Sequence, residues 1–271
     1  MKGLLRGLLV LLIGAAGGYY LGTKYPNITD LKEKIPFLQS DKEGDSEPGE
    51  QVSDSTAQMA ASCAEDEALH AKLLSVSSSL EAMKLPYVAS KGQDCSGIYH
   101  KMKDSVQQWL PADCADQYVF PEYDQIRSSR QIADWYYEQG NLTFVEDPMK
   151  ERNKIKPGSV MFYSKPGKRY SNLTIELLTA KNQNYSSTGA IMHIGTVVDV
   201  EKDEEGNVVQ YTLMHGRNER HPASRTDFHK EVQSKSNPNL PAFGNWSQQW
   251  VAIADIATKK SGEEGTEAPS E

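Results

Sequence analysis

The chain has 271 residues, 38% of them apolar and 24% charged, enough for one domain of ordinary size with polar extensions. A net charge of −8 offers no basic stripe for nucleic acid and argues against adhesion of the folded part to anionic lipid. Cys63, Cys95 and Cys114 are too few for a disulfide scaffold and form no Cys-x-x-Cys pair of the zinc type, so no metal is expected.

The chain begins with a targeting or anchoring segment, residues 1–22. Lys2 and Arg6 precede an uncharged run over residues 7–22, which Lys24 closes. About 17 uncharged residues reach the lower limit for crossing a bilayer. The small residues Gly14-Ala15-Ala16-Gly17 would also suit a signal peptidase. Both readings carry the remainder across the membrane, because the positive flank stays in the cytoplasm. Tyr19 and Tyr20, placed where an interfacial aromatic belt would be, favour a retained anchor. No cysteine lies in or just after the run, which excludes a bacterial lipoprotein.

Residues 23–57 read as a disordered acidic tether; residues 41–50 hold no apolar side chain and cannot bury enough surface to fold. Residues 258–271 read as a disordered tail. Between them, residues 58–257 form one domain. Leu69, Leu73, Val76, Leu80 and Met83 mark one face of a helix that ends before Pro86. Ile98, Met102, Val106 and Trp109 mark a second, from near Asp94 to Pro111, and a third covers residues 129–139. Strands are expected over residues 159–163, 191–200, 208–214 and 250–256. Helices followed by antiparallel strands indicate an α+β domain. Residues 164–190 and 217–235 read as polar loops, the former an active-site cover or disordered.

Cys95 opens the second helix within Asp94-Cys95-Ser96-Gly97. A thiol there faces the positive end of the helix dipole and unpaired N–H groups, which favour a thiolate and could hold an oxyanion. The alternative is a structural cysteine at a helix start. His193 lies in an alternating strand pattern, and a hairpin centred near Glu204 places it directly opposite His215. Two imidazoles so placed supply a base and its orienter. His70 and His100 read as solvated, and His221 and His229 as surface-loop residues. An oxidising compartment would permit a disulfide between Cys63 and Cys114.

The motifs in order are Pro86-Tyr87-Val88, Gly92-Gln93-Asp94-Cys95-Ser96-Gly97, Lys156-Pro157-Gly158-Ser159-Val160-Met161-Phe162, His193-Ile194-Gly195 and His215. Over residues 69–256 this order resembles the NlpC-type cell-wall peptidases, a family of papain-like cysteine hydrolases. The resemblance implies N-terminal helices packed on an antiparallel sheet, with Cys95 as nucleophile, His193 as general base and His215 orienting the imidazole. Tyr87 would lie near the oxyanion or substrate, and Asp94 and Ser96 would shape the cleft. It further implies hydrolysis of amide bonds in peptidoglycan stem peptides through an acyl-enzyme, by a monomer without metal or organic cofactor. Ala89-Ser90 replaces the usual Gly-Gly pair, and Ser159 replaces an aspartate whose place serves a turn. The expected protein is thus extracytoplasmic and tethered to the cytoplasmic membrane, or secreted if the first segment is cleaved. The alternatives are an amidase or acyltransferase of the same fold with another substrate, or a non-catalytic cell-wall binding module.

Overall fold

The computed structural model describes residues 66–166, 171–180, 190–231 and 240–260. The expected anchor, the tether and residues 261–271 of the expected tail lie outside the described residues. No helix among the described residues is long and apolar enough to cross a membrane.

Helix α1, Asp66–Ala82, starts with two acidic residues against its positive dipole end and buries Leu69, Leu73 and Leu80, as their spacing predicts. Met83, expected on the same face, lies beyond the helix end and is exposed. Helix α2, Cys95–Trp109, is capped by Asp94, whose carboxylate accepts the Gly97 N–H at 3.0 Å. Of its predicted face, Ile98, Met102 and Val106 are fully buried and Trp109 is half-buried. Helix α3, Ser129–Glu138, opens on a capping box between Ser128 and Gln131 and buries Ile132, Ala133 and Tyr136. The expected loop over residues 164–190 contains helix α4, Ile175–Thr179, started by the Thr174 cap. Ile175 and Leu178 give it enough apolar surface to pack on α3.

The strands are β1 Tyr118–Val119, β2 Thr143–Phe144, β3 Ser159–Ser164, β4 Ile191–Lys202, β5 Val208–His215, β6 Ser224–His229, β7 Gln249–Asp255 and β8 Thr258–Lys259. Six form an antiparallel sheet in the order β2-β7-β3-β4-β5-β6, and β1 pairs with β8. The domain is therefore α+β. Strand β6 corrects the expected loop over residues 217–235: its alternation is carried by little more than Phe228, yet it closes the sheet beside β5. Strand β8 corrects the tail boundary, since Thr258 is buried beside β1.

Alternation along the strands divides the core. Val160 and Phe162 of β3, Ile194 of β4 and Met214 of β5 join the helices in one cluster. Met161 and Tyr163, Val197, and Tyr211 and Leu213 face a second cluster with Phe228, Phe243 and Trp250.

The β4–β5 turn is centred on Glu205, not Glu204: Asp203 and Asn207 face each other, and Gly206 takes a positive φ of 79°. Two bulges, one on each strand, cancel, so Thr196 faces Met214. His193 and His215 are therefore diagonal neighbours, not directly opposed. They still share a face, because moving the centre by one residue shifts the pairing by two.

Helix α2 enters this framework through close backbone contact. A methyl group on Gly97 would lie 2.3 Å from the Gly92 carbonyl carbon and 2.4 Å from its oxygen. We expect Gly97→Ala to lose about 2 kcal/mol or more from overpacking, despite alanine's better helix propensity. Urea unfolding measures this; a variant as stable as the parent would show that the two turns are not in fixed contact.

Candidate active site

Cys95 stands at the first position of α2 and is 7% exposed. It is a free thiol, whereas Cys114 is disulfide-bonded; Cys63 lies outside the described residues. Three donors converge on the Cys95 sulfur: the backbone N–H groups of Ile194 and Ser96, and the Tyr87 hydroxyl. The Tyr87 oxygen in turn accepts the Cys95 N–H. Burial raises the Cys95 thiol above its ordinary value, and the Asp94 carboxylate adds to this, while the three donors oppose both. Burial likewise raises Tyr87, so its hydroxyl keeps its proton.

The contact with Ile194 depends on the end of a ladder. Beyond Thr196 and Met214 the β4–β5 pairing stops, and α2 fills the gap. Gly216 makes the approach possible: a methyl group there would fall 2.6 Å from the Asp94 carbonyl carbon and 2.9 Å from the Cys95 nitrogen. Cys95 thus meets the backbone immediately after His193, and Asp94 meets the backbone immediately after His215.

His193 Nε2 and His215 Nδ1 are 2.5 Å apart, both rings are buried, and His215 Nε2 reaches Thr226 Oγ1 at 3.1 Å. His193 packs on Tyr163 and His215 on Phe228, so both rings look into the aromatic cluster. Burial depresses His193 to about 4 and places His215 well below its ordinary value, the latter aided by His193 and Arg217. Both imidazoles are therefore neutral at pH 7. Nε2 is the His193 nitrogen that His215 engages.

Asp94 and Ser96 meet a residue the sequence did not single out. Arg127 donates to Asp94 Oδ1 at 2.6 Å, Ser96 Oγ at 2.5 Å and the Ala89 carbonyl at 3.1 Å. Its guanidinium stands 5.1 Å from the Tyr123 ring centroid. Arg127 lies in a connection without hydrophobic period, so only packing reveals it. His100, expected to be solvated, is buried: its Nε2–H donates to the Ile126 carbonyl at 2.8 Å, and its ring meets the edge of Tyr123. His70 is half-buried with Nε2 3.1 Å from Asp199, while His221 and His229 are exposed. Ser159 serves its turn by accepting the Lys156 N–H at 3.0 Å.

A cleft opens over Cys95 between Ala89, Ser90, Ser96, Arg127 and Ser128, and a second runs along α3 to Thr179 and Met192. No protein-family model, curated protein or solved structure matches the chain.

The buried imidazoles fix the sign of an acid effect. His193 has a folded value of about 4 against an ordinary 6.5, so between these pH values the unfolded chain binds a proton that the folded chain refuses. Its contribution is complete above about pH 6.5 and is lost as pH falls towards 4; His215 and His100 act in the same direction. Urea unfolding at pH 7.5, 6 and 5 should show stability falling below about pH 6.5 by up to about 1.4 kcal/mol per pH unit from His193, with His215 and His100 adding in the same direction. His215→Gln should flatten that slope, and a slope unchanged by this substitution would contradict the neutral buried pair.

Proposed function

We propose that the chain is an extracytoplasmic cysteine hydrolase with a papain-like, NlpC-type domain, held to the cytoplasmic membrane by its N-terminal segment. In this reading it cleaves amide bonds in peptidoglycan stem peptides through a thioester acyl-enzyme. The observation that supports the reading is a free thiol on a helix N-terminus with three donors around it, one of them the N–H of the residue that follows His193, whose ring pairs with His215. The disulfide at Cys114 suits an oxidising compartment.

The proposed reaction starts from neutral partners. As the Cys95 sulfur attacks the amide carbon, its proton passes to His193 Nδ1, and His193 Nε2–H donates to His215 Nδ1. Burial opposes either charge alone, so thiolate and imidazolium form together as the bond is made. The carbonyl oxygen becomes an oxyanion beside the Cys95 N–H and the Tyr87 hydroxyl, which already bond each other. Collapse of the tetrahedral species expels the amine with the proton held by His193. Water, deprotonated by His193, then attacks the thioester and releases the acid and the Cys95 thiol. No metal or organic cofactor enters this scheme.

Cys95→Ala and His193→Ala should each reduce release of peptide fragments from purified peptidoglycan by about a thousandfold or more. Tyr87→Phe should lower kcat by about tenfold to a hundredfold, with a smaller effect on KM. Mass spectrometry of the released fragments checks all three, and undiminished release by the Cys95→Ala protein overturns the reading.

A further inference from the structure

We propose that Arg127 is a positioning residue of the Cys95 site: one guanidinium fastens both neighbours of the thiol, Asp94 and Ser96, to the turn that follows Tyr87. The inference rests on Cys95 being the reactive group. Its geometry is distinctive. Nη2 bonds the Asp94 carboxylate and the Ala89 carbonyl, while Nη1 bonds the Ser96 hydroxyl. Three chain segments, the turn after Tyr87, the start of α2 and the connection before α3, are thereby joined around Cys95.

Asp94 shows why a cation belongs at this place. Its Oδ1 accepts the Gly97 N–H and so caps α2, which keeps a carboxylate next to a thiol that must become an anion. Arg127 pairs with the same oxygen, so the cap is retained and its charge is offset. Ser96, on the other side, is turned towards Arg127 while its N–H faces the sulfur. The groups facing the thiol are Asp94 and Ser96 on α2, Tyr87 from the preceding turn, and the Ile194 backbone from the sheet. The neutral His193–His215 pair stands behind that backbone, with Arg217 acting on His215. Arg127 itself is faced by Asp94 and Tyr123, and its charge acts on His100. Lysine could offset Asp94 but could not reach all three acceptors with a planar fork.

The test follows iodoacetamide alkylation of Cys95 in the full chain from pH 5 to 10, read by peptide mapping of the Cys95 peptide. Arg127→Gln should raise the apparent thiol pKa by about one unit and slow alkylation at pH 7 about tenfold. Arg127→Lys should recover part of the rate. Asp94→Asn keeps an N-cap and leaves Arg127 uncompensated, so it should lower the apparent pKa. The double variant Asp94→Asn/Arg127→Gln should return to within about threefold of the parent rate at pH 7. A merely structural clamp would leave the double variant at least as slow as Arg127→Gln, and that result overturns the proposal. So does an Arg127→Gln profile equal to the parent's. Should Arg127→Gln not fold, Asp94→Asn decides alone, and an unchanged or raised apparent pKa refutes the proposal. A parent protein that alkylates as expected but releases no peptidoglycan fragments defeats the hydrolase reading and leaves this comparison standing.

Discussion

The arrangement depends on one packing constraint: the first turn of α2 is wedged into the open end of the β4–β5 pair. Gly216 lets the Asp94 and Cys95 backbone approach, Gly97 lets the same turn lie on Gly92, and the Ile194 N–H closes on the sulfur. A side chain at either glycine would push the helix away from the strands that carry the imidazoles. Helix dipole, capping carboxylate and the first-turn N–H groups act at Cys95 only because this contact fixes the helix end. The long buried face of α2 supplies the stabilisation that holds it there, through Ile98, Met102 and Val106.

Much of this was legible in the sequence, for reasons that differ between elements. The helix faces were marked by their period, and β3, β4, β5 and β7 by apolar runs within residues of their observed ends. The motif Asp94-Cys95-Ser96-Gly97 marked the start of α2, Pro86-Tyr87-Val88 marked the tyrosine that reaches it, and the hairpin placed His193 beside His215. The pairing error at the hairpin was harmless because Glu204 and Glu205 as centres give the same facial parity. Strand β6 was hidden because it is an edge strand with mainly polar side chains, and α4 because five residues are too few to show a helical period. His100 was misread because one buried polar residue on an exposed-looking turn leaves no pattern; only the Ile126 carbonyl makes its burial affordable. Arg127 was invisible for the same reason, since its partners are 31, 33 and 38 residues distant and its own segment has no regular structure.

The second cluster gives the imidazoles their chemistry. Tyr163 and Tyr211 share a hydrogen bond at 2.6 Å, and the Tyr211 hydroxyl donates to the Phe243 carbonyl at 3.1 Å. These buried hydroxyls thus have protein partners, and the rings of Tyr211, Phe228 and Phe243 stack behind them. His193 and His215 rest against this aromatic wall, and the burial it provides is the main source of their depressed basicity. A base that remains neutral down to about pH 4 is a weak one for an isolated thiol. In the proposed reaction the proton would therefore move only as the sulfur forms its new bond.

Stability and reactivity therefore oppose each other at this sheet end. The aromatic wall and the apolar helix face stabilise the fold by excluding water, and the same exclusion raises the thiol and lowers the imidazoles. The fold meets the thiol half of this opposition with local dipoles: two backbone N–H groups and one hydroxyl directed at the sulfur, none of which needs a mobile counter-charge. The imidazole half is met by pairing the rings and by the contact of His215 with Thr226, which borders solvent. Direct exposure of either group would ease its ionisation, but it would also break the contact between α2 and the sheet that brings the two halves together.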